Sequence, residues 1–431
     1  MLLPWALAFD PWSWIVWGRE VTRLELDTTG GPSWKPLPVV AATLLSLAGS
    51  AAPVLWLMLA RAGGLLAVAG AAALAGRLAG PTAAMTAAVV MAVSDWWLFN
   101  TALGNSEGLL AASALWAAVA HLAGRHRVAL ALGLAAALLR PEAWPFLGSY
   151  TLWLWRTRRE PLGVLALALA PVPLLWFGPD LLNAGGALAG SSAARGTASP
   201  QSAVHADVPA IEVLADFVAL LTPPALLAAA AGAALGGPTA RRLAAGGLAW
   251  VALVAGMTQA GYAGNPRYNV AAAAVGCVLA GIGAAAVARR LARAGWLAAG
   301  VLVAGVLAFT AGDVAGQVAE LGDRAERRRD LDALVARAGG APRIRACAPA
   351  RTVQPMKAML AWRLELPMER LADPPRAPAA IFSVPAGYDG GPAAPRVPGG
   401  FAAVAQSGDW KLAVACARGG ALRPPGARSA R

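Results

Sequence analysis

Acids and bases are rare in this chain, and the ones that stand out fall in a few short clusters. The segment 10–38, DPWSWIVWGREVTRLELDTTGGPSWKPLP, opens on Asp10, carries Glu20 and ends in Lys35-Pro36-Leu37-Pro38. Asn105-Ser106-Glu107-Gly108 joins two apolar runs, Arg140-Pro141-Glu142 interrupts another, and Asn265-Pro266-Arg267-Tyr268 opens a fourth. Arg61 lies eight residues into the run 53–76, about 12 Å along a helix. An arginine at that depth faces an acid or a polar cavity. Carboxylates and cations together suit a reaction in which a hydroxyl attacks and a phosphate leaves. A carboxylate takes the proton of the hydroxyl, and cations stabilise the departing charge. Asp10 and Glu107 are the candidate acids, and Lys35, Arg267 and Arg61 are the candidate phosphate ligands. Glu20, Arg140, Glu142 and Tyr268 are candidate supporting groups. An anion beside Arg267 meets both a guanidinium and the N–H groups of a helix start.

Each cluster also has a plainer reading. Asp10-Pro11 is a helix cap followed by proline at the first helical position. Lys35 snorkels from a helix end, although it is the only lysine in the first 312 residues. Glu107 is a first-turn acid facing the helix dipole. Arg140 and Glu142 are an internal pair, Arg267 anchors among headgroups, and Asp95 satisfies a neighbouring helix.

The elements that carry these residues must be membrane helices. Of 431 residues, 58% are hydrophobic and 14% charged, too little polar surface for a soluble fold of this length. Residues 1–312 hold 18 Lys and Arg with 12 Asp and Glu, while 313–431 hold 18 and 11. The first part is expected to be an all-α polytopic membrane domain, and the tail a small α/β domain in water. The net charge of +13 is read as a topology signal rather than a nucleic-acid surface, because many positives sit in short loops. The three histidines are scattered and the three cysteines form no CxxC pair, so His- or Cys-based metal chemistry is excluded. Cys347 and Cys416 are either a disulfide or two buried thiols.

Spans are expected at 53–76, 81–99, 107–123, 161–177, 213–235, 244–262, 269–288 and 296–312. Residues 128–155 have basic flanks at both ends, so they are expected to enter and return as two short helices broken at Arg140-Pro141-Glu142. The basic loops 124–127, 156–159, 241–242 and 289–293 fall on one side, taken as cytoplasmic. The other side receives 10–52, 100–106, 178–212, 263–268 and the tail, with 191–205 as a flexible loop. The helix starting at Asp10 is expected to lie on the membrane surface, with Trp12, Trp14 and Trp17 as belt residues. Only nine residues precede Asp10, and a missing first span is expected to carry 10–52 outside.

The motifs resemble the GT-C superfamily of integral-membrane glycosyltransferases, which includes the protein O-mannosyltransferases and the lipid A aminoarabinose transferases. Phe9-Asp10-Pro11 matches the acidic motif of the first outer loop, and Lys35-Pro36-Leu37-Pro38 is similar to the Lys-Pro-Pro-Leu-like motif that follows it. Glu107 matches the second acid by position, and Arg267-Tyr268 resembles the late Arg-Tyr element. The likeness covers roughly residues 1–312. It implies transfer of a sugar from a polyprenyl-phosphate donor to an extracytoplasmic acceptor hydroxyl, with inversion. Asp10 would be the base, and Lys35 and Arg267 the phosphate ligands. The acceptor class (glycan, lipid or protein) and a divalent metal are left open, since Asp10 lacks the adjacent second acid of many members. A transporter or lipid flippase, and a non-catalytic scaffold, are the other readings.

Overall fold

The structure of the chain, a computed structural model, describes residues 3–183, 185–196, 202–290, 295–371, 377–385 and 397–416. Helix α1 (Phe9–Thr22) begins at the expected place, but Ala8 holds the cap position and Asp10 sits in the first turn. The tryptophans expected as belt residues are not exposed. Every residue from Asp10 to Glu20 is buried, because protein rather than membrane covers the helix. Helix α2 (Pro36–Ser46) crosses it at Gly18, where a Cβ would stand 2.5 Å from the carbonyl carbon of Ala42. Trp14 packs edge-on against Trp56, and Trp17 packs against Trp34 with the rings tilted by 50°.

Helix α3 (Ala52–Ala79) realises the first long run. The run 81–99 is bent rather than straight: α4 (Pro81–Val93) and α5 (Asp95–Ala102) meet at 63° at an extended Ser94. Helix α6 (Glu107–Leu122) follows, then α7 (His126–Leu139), a short turn at Pro141–Ala143, and α8 (Trp144–Arg158). These last two are the expected short paired helices. Arg140 is extended (φ −150°, ψ 132°), as the residue before a proline prefers.

Helices α9 (Leu162–Leu169) and α10 (Pro171–Asn183) form one apolar stretch. The loop expected at 191–205 is partly ordered: α11 spans Ala189–Gly196, Ala203–His205 form a helical turn, and 197–201 lie outside the described residues. The expected span 213–235 is broken by 95° between α12 (Pro209–Leu221) and α13 (Pro223–Leu235). Thr222 takes a positive φ there and two prolines follow, which no continuous helix tolerates.

Helix α14 (Gly237–Gln259) holds the expected 244–259, and α15 (Val270–Arg290) is the buried centre of the bundle. Its alanines and glycines let α3, α4 and α13 approach closely. Among the described residues, four helices are long and apolar enough to cross a membrane, or six if each bent pair is one span. Helix α16 (Gly295–Arg337) has 43 residues, about 64 Å of rise against a bilayer core of about 30 Å. Position 312 falls inside this helix, which carries the chain from the apolar part into the tail.

The tail is the small α/β unit expected. Helices α17 (Ala341–Cys347) and α18 (Lys357–Leu364) pack with strands β1 (Ala350–Arg351), β2 (Ala379–Ser383), β3 (Ala402–Ser407) and β4 (Trp410–Ala415) in the order β1-β2-β4-β3. Only β1 and β2 run parallel. Cys347 and Cys416 are disulfide-bonded, closing the end of β4 onto α17. The tail docks on α1 through Arg19, whose guanidinium donates to the carbonyls of Ala361, Trp362 and Leu366.

Candidate active site

The candidate residues sit at the starts of helices or in the breaks between them, and a proline neighbours most of them. Pro36 follows Lys35, Pro141 follows Arg140, and Pro266 precedes Arg267. Proline is preorganised for the first helical position and costs no hydrogen bond there. It also keeps Lys35, Arg140 and Asn265 extended, so the polar side chains stand at the helix entrances. Glu107 opens α6. Gly108 presses that helix start onto α3, since a Cβ would lie 2.8 Å from the nitrogen of Gly64.

These entrances converge into one chain of alternating charge. Lys35 Nζ lies 3.5 Å from Asp10 Oδ2, and Arg267 reaches the same oxygen at 2.8 Å. Arg267 Nε stands 3.9 Å from Glu107 Oε1, an ion pair but no hydrogen bond. Arg140 donates to Glu107 at 2.9 Å and to Glu142 at 3.4 Å. Its guanidinium lies 3.9 Å from the centre of the Tyr268 ring, and Lys35 lies 4.9 Å from that of Trp14. The internal Arg140–Glu142 pair is present, and it extends to Glu107.

The cluster is buried yet incompletely satisfied. Arg140 and Glu107 are at most 2% exposed, while the Arg267 side chain is 22% exposed and forms the open edge. Glu107 Oε2, Glu142 Oε2, Asn105 Oδ1, Ser106 Oγ and Asn269 Oδ1 are buried with no hydrogen-bond partner among the described residues. Buried polar atoms are costly when unpaired, so the site is built for water or a ligand that completes them. Burial pushes the Asp10 carboxyl up, but the charges of Arg267, Lys35 and Arg140 outweigh it and hold the group at about 2. Burial, with the charge of Arg140, brings the Lys35 ammonium down to about 8, against the opposing pull of Asp10 and Glu107.

A divalent metal does not fit this arrangement. Asp10, Glu107 and Glu142 each already face an arginine, and a further cation would be repelled by the same groups. Among the described residues no group of three His, Cys, Asp or Glu is placed to hold one. An anion, by contrast, finds Lys35 and Arg267 converging beside Asp10.

Two candidates lie elsewhere. Arg61 donates to the carbonyls of Pro4 and Ala102 and secures the chain on either side of α3. Glu20 is ten residues along α1 from Asp10, about 15 Å away, and accepts from the backbone N–H of Asp27. Asp95 accepts from Gln317 of α16, the neighbouring-helix role expected of it. Nothing in the sequence marks Trp14 as the residue that flanks Lys35 rather than the membrane. Tyr262 was also missed. It packs on Tyr268, and its only signal was rarity, since the chain has four tyrosines.

No family model matches the sequence, and no curated protein matches it. Solved structures do. The chain aligns with ArnT from Cupriavidus metallidurans bound to undecaprenyl phosphate at a TM-score of 0.61 and 14% identity, covering 98% of this chain and 96% of that one. The apo structure of the same protein gives 0.60 and 16% identity, over 95% and 94%. The chain has the ArnT fold. The all-helical architecture with a small C-terminal α/β unit expected from the sequence is the one this fold has, and its apolar helices are long enough to cross a membrane. The match to ArnT extends over the tail, where the sequence suggested no relative.

Proposed function

We propose that this protein transfers a sugar from a polyprenyl-phosphate donor to an acceptor hydroxyl on the extracytoplasmic side of a bacterial-type plasma membrane. The observation that carries the reading is Asp10 held between Lys35 and Arg267 at an edge where the cluster opens. The ArnT fold and the undecaprenyl phosphate bound to that neighbour support it. The disulfide supports the oxidising side for the tail.

Paired only with Lys35 and Arg267, Asp10 is a weak base, because the two cations neutralise it. A donor phosphate draws Lys35 and Arg267 toward its own oxygens, and Asp10 loses part of the charge that holds its proton affinity down. The acceptor O–H then gives its proton to Asp10 as its oxygen attacks the anomeric carbon. The bond from that carbon to the phosphate oxygen breaks, and the polyprenyl phosphate leaves with the electron pair, stabilised by Lys35 and Arg267. A single displacement inverts the anomeric centre. Glu107 holds Arg140 and faces Arg267, which supports reading it as a positioning acid.

The test is transfer in membranes from a panel of labelled polyprenyl-phosphate sugars, comparing the wild type with Asp10→Asn. Loss of about 10²- to 10⁴-fold in turnover, with donor binding retained, is expected. Turnover by the folded Asp10→Asn protein at the wild-type rate, or none by the wild type with any donor, would refute the proposal.

A further inference from the structure

A second polar constellation lies at the far end of the bundle from the ionic cluster. An apolar cavity of about 440 Å³ runs between α6, α7, α8, α14 and α15. It exists because these helices face one another with small residues, including Ala118, Gly133 and Gly246. A Cβ at Gly246 would meet nothing within 4 Å. The cavity extends along α6 from Leu110 to His121, about 16 Å of helix rise. That is about the hydrocarbon depth of one leaflet, half of the ~30 Å core.

The polar lining is confined almost wholly to one end. Trp250 spends its N–H on the carbonyl of Tyr268. The other polar lining residues are His121, Tyr150, Thr239 and Arg242. Arg242 is exposed and has no hydrogen bond or ion pair among the described residues. His121 ends a chain of polar contacts. Arg158 donates to His126 Nε2. The His126 Nδ1 faces the Tyr150 hydroxyl at 3.4 Å, and the hydroxyl faces His121 Nδ1 at 3.3 Å. The other ring nitrogen of His121, Nε2, has no hydrogen-bond partner among the described residues. Arg125 stands at the start of α7 and Arg127 in its first turn, paired with Glu160 at 3.3 Å, and by the positive-inside rule this is the cytoplasmic end.

We propose that this end of the cavity is a binding site for an anionic phospholipid of the cytoplasmic leaflet. Its phosphate meets Arg242 and His121 Nε2, and one acyl chain fills the cavity. The length of the cavity, one leaflet deep, and the placement of these two groups at its basic mouth select this occupant. The site is separate from the ionic cluster and does not depend on the glycosyl-transfer reading.

The experiment is native mass spectrometry of the full-length protein titrated with phosphatidylglycerol and phosphatidylcholine of the same acyl composition. The wild type is expected to retain phosphatidylglycerol about fivefold more strongly. Arg242→Gln, at an exposed position, is expected to abolish that preference while still binding both lipids. Gly246→Leu, or Ala118→Leu as a second filling variant, is expected to lose both. Equal retention of the two lipids by the wild type overturns the proposal, as does a preference that survives Arg242→Gln. So does a pair of filling variants that keep both phospholipids but lose polyprenyl phosphate, since the cavity would then hold the polyprenyl chain.

Discussion

Binding of a polyprenyl phosphate should be linked to protonation of Lys35, and the linkage has a definite pH window. Lys35 is 6% exposed, 3.5 Å from Asp10 and 4.9 Å from the Trp14 ring. Burial, then the positive charge of Arg140, brings its ammonium down to about 8. An arriving phosphate favours the charged form, so the anion and a proton bind together above that pH. Affinity is expected to be level from about pH 7 to 8 and then to fall about tenfold per unit. At about pH 9.5 the loss is about 30-fold, or ~2 kcal/mol. The phosphate's own second ionisation, near pH 6, lies below the window. Lys35→Arg keeps its charge throughout and should show no slope, whatever its absolute affinity. Lys35→Met should be equally flat and as weak as the wild type at high pH. The assay is equilibrium binding of radiolabelled polyprenyl phosphate to purified protein at constant ionic strength. A wild-type affinity unchanged between about pH 8 and 10, or a slope that persists in Lys35→Arg, would refute the linkage.

Three further expectations concern stability. Arg140→Met leaves buried Glu142 without its cation and buried Glu107 with only the 3.9 Å pair to Arg267, and should cost about 3–5 kcal/mol. Adding Glu107→Gln should restore part of it, read as Tm in detergent. Replacing Cys347 and Cys416 by serine opens a loop of 69 residues and should destabilise the tail by about 4 kcal/mol, read as protease susceptibility of the tail with and without reductant. Burial raises the Glu20 carboxyl to about 8, against the Asp27 N–H bond and the Arg19 charge. The folded state therefore binds more protons than the unfolded one between the ordinary carboxylate range and pH 8, and stability falls as pH rises through that window. Glu20→Gln keeps the acceptor for Asp27 and should be more stable by about 1–3 kcal/mol near pH 8, with a flatter dependence of Tm on pH.

The sequence by itself determined that this is a bundle of apolar helices with a charged tail, because burial in lipid and exposure to water demand opposite compositions. It also determined where helices start. Asp10-Pro11, Lys35-Pro36, Arg140-Pro141 and Pro266-Arg267 are local signals, written by the fixed φ and missing N–H of proline. The short helix pair around Arg140 was legible for the same reason, with basic residues at both flanks. What the sequence did not contain was the partner of each charge. Arg140 joins Glu107 as well as Glu142, Arg267 joins Asp10 across 257 residues, and Arg61 turns to backbone carbonyls instead. Trp12, Trp14 and Trp17 had the composition of a membrane belt, but the C-terminal domain and α2 cover them. Pairing of this kind depends on how long helices cross, and crossings are set by contacts such as Gly18 on Ala42 and Gly108 on Gly64. Those contacts are non-local, so only the tertiary structure could decide which acids and cations would form one site.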